Sequence, residues 1–161
     1  SGFGELSRGI TPPDGRLFAV DAEPGMANGF EGDDRFTFEA ADLATYVPSV
    51  TADVALLFGV VTHLTVAEEE AVYDRIRDAL TDDGVAVIKN QCSDGESFEV
   101  DTHSEALGTR YVGRYPSVEE QRARLAERFA EIEVHPYPES LKRHANSSHV
   151  AFVCRGPRRA A

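Results

Sequence analysis

Apolar and polar positions along this chain alternate between two rhythms. Arg16 Leu17 Phe18 Ala19 Val20 Asp21 is an apolar run of strand type that ends in a carboxylate, and Glu23 Pro24 Gly25 then turn the chain. Arg35 Phe36 Thr37 Phe38 Glu39 Ala40 Ala41 Asp42 Leu43 repeats the layout, again with an acidic tip. Asp53 to Val61 is almost continuously apolar, the pattern of a central parallel strand buried on both faces. A helix is predicted next. Thr65 with Glu68 three residues on forms a capping box, and Val66, Ala67, Val72, Ile76, Ala79 and Leu80 supply the apolar stripe. Thr81 Asp82 Asp83 Gly84 turns the chain into Val85 Ala86 Val87 Ile88, another buried strand.

The second half departs from this alternation. Residues 91–116 are polar and glycine-containing, too long for a simple connection, and read as a substrate-side insert. Ser117 with Glu120 is a second capping box, opening a helix through Phe129 with Val118, Leu125 and Phe129 on its inner face. Ile132 Glu133 Val134 is a short strand and Val150 Ala151 Phe152 Val153 Cys154 the last. Between them, residues 136–149 carry two prolines and no helical stripe. Neighbouring strands without a crossover helix pair more readily antiparallel, so the sheet should end in a reversed strand.

A length of 161 residues with 42% hydrophobic content fits one globular domain with a substantial core. No segment approaches the ~20 apolar residues of a membrane span, and no basic and apolar leader is present, so a cytoplasmic location is expected, with no membrane partner. A formal charge of −12 opposes nonspecific nucleic-acid binding, which needs a basic face. No histidine pair has ligand spacing on a helix and no paired cysteine motif occurs, so no metal is expected. Cys92 and Cys154 should lie at opposite edges of the sheet on oppositely running strands. Strands of this length would separate them by ~15–20 Å, beyond the ~7 Å that a disulfide spans, and both should be reduced.

The chemistry concentrates at the turns. Ser1 Gly2 Phe3 Gly4 reads as the exit from a first strand, although no such strand precedes it in this sequence. Glycines let a backbone approach a ligand closely, and a carboxylate at the tip of the following strand can accept from ribose hydroxyls. A glycine loop followed by strand and acid is a layout used to hold an adenosine.

In order and spacing these pieces resemble a class I S-adenosylmethionine-dependent methyltransferase over the whole chain. The matching residues are Ser1 to Gly4, Val20 Asp21 Ala22 Glu23 Pro24 Gly25 Met26, Ala41 Asp42 Leu43, Phe58 Gly59 Val60 Val61 Thr62 His63 Leu64, and the Asp82 Asp83 Gly84 turn. The resemblance implies an α/β fold, a Rossmann-like three-layer α/β/α sandwich. Its mostly parallel sheet is ordered 3-2-1-4-5-7-6, with strand seven antiparallel. The first strand and its terminal acid are absent from this sequence, and the native polypeptide is expected to extend upstream.

The cofactor that the resemblance implies is S-adenosylmethionine. Gly2, Phe3 and Gly4, with Ser1, would pass beneath its methionine and ribose portions, and Asp21 would hold the ribose hydroxyls. Ala22 and Met26 would line the adenine, and Asp42 would accept from its amino group with the Leu43 backbone nearby. Phe58, Gly59 and Val60 would border the sulfonium. The implied reaction is methyl transfer to a small-molecule acceptor, in first place a hydroxyl, as on a sugar or natural product. His63 follows a strand at the carboxyl edge of the sheet, where open α/β folds place ligands, and histidine suits proton transfer near neutral pH. It is the candidate catalytic base.

His103, Arg110, Tyr111, Arg114 and Tyr115 combine cations with aromatic faces and are the candidate substrate residues for a ring-bearing or anionic acceptor. Tyr137, His144, Asn146 and His149 form a second tier. Two other classes stay open, a noncatalytic binding module and a nicotinamide-dependent oxidoreductase; the latter should keep a helix between its last strands. Homo-oligomerisation is left open.

Overall fold

Thr65 opens its helix by the device that its sequence predicts. Its Oγ1 accepts from the Glu68 amide at 3.3 Å, and the Glu68 carboxylate accepts from the Thr65 amide at 2.8 Å. Two of the amides that a helix start leaves unpaired are thereby satisfied. The computed structural model describes residues 5–105, 108–142 and 144–159, so the glycine loop Ser1 to Gly4 lies outside the described residues. Two units, Ser1–Val47 and Pro48–Ala161, are taken in turn.

In the first unit, helix α1 (Glu5–Ile10) precedes strand β1 (Leu17–Asp21), a 3-10 segment (Pro24–Phe30) and strand β2 (Phe36–Ala40). β1 and β2 are parallel, with Leu17 opposite Phe36 and Asp21 opposite Ala40. Phe30 is buried and stacks on Phe38 at 5.8 Å between ring centres, so the connecting segment closes over the sheet that it joins.

The second unit runs β3 (Ala52–Phe58), α2 (Val66–Ala79), β4 (Leu80–Ser93), β5 (Phe98–Ser104), β6 (Thr109–Tyr115), α3 (Val118–Ala126), β7 (Phe129–Pro136) and β8 (Ser147–Pro157). Its main sheet has the order β3-β4-β8-β7; β3 and β4 are parallel, and β8 is antiparallel to both of its neighbours. The reversed terminal strand predicted from the proline-rich connection is present. Between the end of β7 at Pro136 and the start of β8 at Ser147, the helical structure among the described residues is a short 3-10 turn, Glu139–Leu141.

Alternation along β4 and β8 fixes the core. Ala86, Ile88, Cys92, Phe152 and Cys154 are buried on one face. The side chain of Asn90 on that face donates to Gln121 of α3, and Gln121 donates to Glu69 of α2, so both helices cover it. Within this unit, then, the described helices lie on one side of the sheet.

Three expectations change. β3 is an edge strand of its sheet rather than a central one, and Val54 is 55% exposed, because β4 alone pairs with it among the described residues. The inner face of α2 is rotated: Val66 and Ala67 are exposed, while Glu69, Val72 and Tyr73 are buried. α3 stops at Ala126, and Phe129 instead begins β7 as a buried strand residue. Of the segment 91–116, residues 91–93 complete β4, and β5 and β6 pair as an antiparallel hairpin. The Thr81 to Gly84 turn survives as an irregularity inside β4, whose pairing with β3 jumps from Leu80 to Val85.

Cys92 and Cys154 are free and buried. Cys92 pairs with Ser148 and Cys154 with Ala86, toward opposite ends of one ladder. Burial pushes both thiols up from 9.0 to about 12, with Glu69, Asp94 and Glu119 adding to the effect at Cys92. A raised acid pKa stabilises the fold fully below the unfolded value, and this contribution is lost as pH climbs through the folded one. Urea unfolding should therefore show stability falling from about pH 9 upward, by an amount on the order of a few kcal/mol. Replacing both cysteines with alanine should flatten that fall; an equally steep fall in the double variant would refute the assignment.

Candidate active site

In the first unit the two acidic tips come together. The parallel register sets the ends of β1 and β2 side by side, and the Ala41 amide donates to the Asp21 carbonyl at 3.0 Å. Asp21 Oδ1 accepts from the Glu23 amide at 3.0 Å, and Asp42 Oδ1 accepts from the Ala44 amide at 2.9 Å. Each aspartate fixes the turn that follows its strand, the ordinary structural use of this residue. Ala22 is exposed, Met26 and Leu43 are half-buried, and all three belong to the segments that follow these strands. Two carboxylates held by short turns at the carboxyl ends of adjacent parallel strands suit an adenosine, whose ribose hydroxyls and adenine amino group are donors. The donor and acceptor chemistry of this set fits S-adenosylmethionine.

In the second unit, β3 delivers Phe58, Gly59 and Val60 to its carboxyl end. Gly59 has φ +71° and its amide donates to the Lys89 carbonyl at 3.0 Å, so the chain leaves the sheet in a left-handed conformation that favours glycine. The 3-10 turn Val61–His63 follows, with Val61 fully buried as its anchor and His63 exposed.

The hairpin meets His63 through one ring. Tyr111 of β6 stands edge-on to the imidazole, 6.1 Å between ring centres, and its hydroxyl bonds that of Tyr115 at 2.8 Å. Tyr115 stacks on Phe98 across the hairpin at 4.8 Å. Between the two tyrosines, Gly113 makes the arrangement feasible: a Cβ there would sit 2.7 Å from the Tyr111 hydroxyl oxygen. Burial, followed by the hydrogen bond shared with Tyr111, pushes the Tyr115 phenol up to about 12.

The other candidates lie elsewhere. His103 and Arg110 face each other across the hairpin and are exposed; Arg110 forms a fork with Asp101 at 2.6 and 2.7 Å, a surface pair. Arg114 is buried and paired with Glu69. Of the second tier, Tyr137 packs on His149 with ring centres 5.8 Å apart and borders a cavity of about 580 Å³ beside Cys92, Asp94 and Glu119. Among the described residues, no cluster of histidine, cysteine and carboxylate could hold a metal.

Sequence reading missed Glu69, Tyr73, Asn90 and Gln121. The available signal was a carboxylate at position 69 on the helix face that also carries Val72, Tyr73 and Ile76; a charge on an apolar stripe needs a buried partner.

No protein-family model matches the chain, and no curated protein does. Solved structures do match. A 1,6-didemethyltoxoflavin-N1-methyltransferase from Burkholderia thailandensis, with 1,6-didemethyltoxoflavin and S-adenosylhomocysteine bound, superposes with a TM-score of 0.74 at 22% identity, over 96% of this chain and 67% of that one. A complex of DhpI with S-adenosylhomocysteine gives 0.67 at 21%, over 98% and 74%. The N-methyltransferase NodS from Bradyrhizobium japonicum WM9 gives 0.68 at 15%, over 98% and 82%. At these identities the likeness is one of fold: the chain has the α/β fold of these methyltransferases.

Proposed function

We propose that this chain is an S-adenosylmethionine-dependent methyltransferase acting on a small-molecule acceptor. The observation that carries the reading is the pair of acidic tips, Asp21 and Asp42, on adjacent parallel strands of a chain whose fold matches structures holding S-adenosylhomocysteine. Asp21 would hold the ribose hydroxyls and Asp42 the adenine amino group. When bound, S-adenosylmethionine supplies an electrophilic methyl group whose transfer leaves a neutral thioether.

His63 would take the proton of an acceptor hydroxyl on a ring nitrogen. Tyr111 and Tyr115 would orient the acceptor with their rings and with the phenol proton that their mutual bond leaves over, since two hydroxyls carry two protons and the bond uses one. Positioning of this kind can account for much of a displacement rate, up to ~7–11 kcal/mol in favourable intramolecular systems. An amine acceptor is the second reading, supported by the likeness to two proteins named as N-methyltransferases.

Calorimetry with S-adenosylmethionine, S-adenosylhomocysteine and NAD tests the cofactor. Binding of the first two and not the third is expected; a folded chain that binds neither of the first two sinks the proposal. A methyl-transfer screen over hydroxyl, amine and carboxylate acceptors, repeated with His63→Ala, tests the base. On a hydroxyl acceptor the variant should lose about 10²–10⁴-fold in rate. Full rate across pH would remove His63 from that role.

A further inference from the structure

Hairpin β5–β6 is poorly equipped to hold its place by apolar burial. Glu99, Asp101, Thr102, His103 and Arg110 are exposed, Val112 is 53% exposed, and the buried positions of β6 are Gly113 and Arg114. What fastens it is a charge. Arg114, 9% exposed, pairs through Nη2 with Glu69, which is fully buried, and its Nε reaches the Leu64 carbonyl at 3.5 Å. Glu120 lies on its other side, Oε1 at 3.8 Å from Nη1.

The partner carboxylate is itself fixed. Glu69 Oε1 accepts from Gln121 Nε2 at 2.8 Å, Gln121 also donates to the Tyr73 hydroxyl, and Gln121 Oε1 accepts from Asn90 Nδ2 at 3.1 Å. From β4 through α3 and α2 to β6, every link is a polar side chain in the interior. The chain of bonds ends on Leu64, the residue after His63, and Arg114 sits in the strand that carries Tyr111 and Tyr115.

We infer that Arg114, clamped by Glu69, is the positioning residue that sets His63 against the Tyr111–Tyr115 pair. The inference rests on the methyltransferase reading only for the use of that geometry. Chemistry favours arginine here: its planar fork can bind a carboxylate and a backbone carbonyl from separate nitrogens, which a lysine ammonium on a flexible stem does not reproduce. Removing a buried charge strands its partner, whereas neutralising both members of a buried pair is often harmless to stability. That difference separates positioning from simple structural support.

The test compares Arg114→Met, Arg114→Lys and the double variant Glu69→Gln/Arg114→Met in the full chain. Melting temperature, the nuclear Overhauser contact between the His63 and Tyr111 rings, and methyl-transfer kcat and KM are followed. Arg114→Met should melt lower and lose the ring contact. The double variant should recover most of the melting temperature yet still lack the ring contact, with kcat down by about tenfold to a hundredfold and affinity for S-adenosylhomocysteine unchanged. Arg114→Lys should fall between native and Arg114→Met in ring contact. A double variant that regains the ring contact along with its stability overturns the inference, as does a folded single variant that keeps it. If the native chain transfers no methyl group to any acceptor, the ring contact still decides the positioning role while the functional reading fails.

Discussion

Asp21→Ala should weaken S-adenosylhomocysteine binding by about 3 kcal/mol, roughly a hundredfold in Kd, while the protein stays folded. Under the proposed function this carboxylate accepts from both ribose hydroxyls, and hydrogen bonds to a charged group are worth about 1.5–3 kcal/mol each. The same side chain caps its own turn through the Glu23 amide, so alanine removes two functions together. Asp21→Asn separates them. Its amide oxygen keeps the cap and one acceptor but loses the charge, so affinity should fall by less while melting stays native. Calorimetry on the three proteins reads both effects, and native affinity in Asp21→Ala would exclude this residue from the cofactor site.

Phe152→Ala should destabilise the second unit by about 3–5 kcal/mol. Phe152 is fully buried on β8, whose neighbours are β4 on one side and β7 on the other, opposite Ile88 and Val134. Both neighbours are fixed by long ladders, so the space left by the ring has little room to collapse, and a cavity that cannot collapse costs most. Against a typical total of about 5–15 kcal/mol, the loss should bring the denaturant midpoint down by a large fraction without altering the slope. A change below about 1 kcal/mol would mean that β8 is not the centre of the core.

The parts of this fold legible in the sequence are those decided locally. Thr65 and Glu68 form a complete capping box from residues three apart, and the two acidic strand tips follow from apolar runs that end in aspartate. Ser117 is half legible: it accepts from the Glu120 amide, but Glu120 turns to Ser97 and Arg124, and the Ser117 amide donates to Ser97 instead. That exchange needs the hairpin, which no local pattern announces.

Phe129 shows a second limit. Its spacing from Leu125 suits a helix face, yet the helix has ended and the ring fills the core from a strand; an apolar residue at a boundary satisfies either period. Arg114 shows the third. An arginine among tyrosines looks like a hand held out to an anion, and in the fold it meets a buried carboxylate 45 positions away. Nonlocal pairing of charges leaves its mark only as a misplaced polar residue at each end, here Glu69 on the apolar stripe of α2.

The hairpin leaves β4 and returns to α3 at almost the same point: the Ser93 amide donates to the Pro116 carbonyl at 2.8 Å, and Ser93 bridges Ser117. Whatever lies between those residues begins and ends on a closed clasp, so its length and sequence can change without dragging the sheet along. Loop closure grows slowly with length, about 0.6 kcal/mol per doubling. This makes 94–115 an exchangeable cassette. Under the proposed function, a lineage could swap it to reach a new small molecule while inheriting the rest of the fold, provided that each replacement brings its own arginine to meet Glu69.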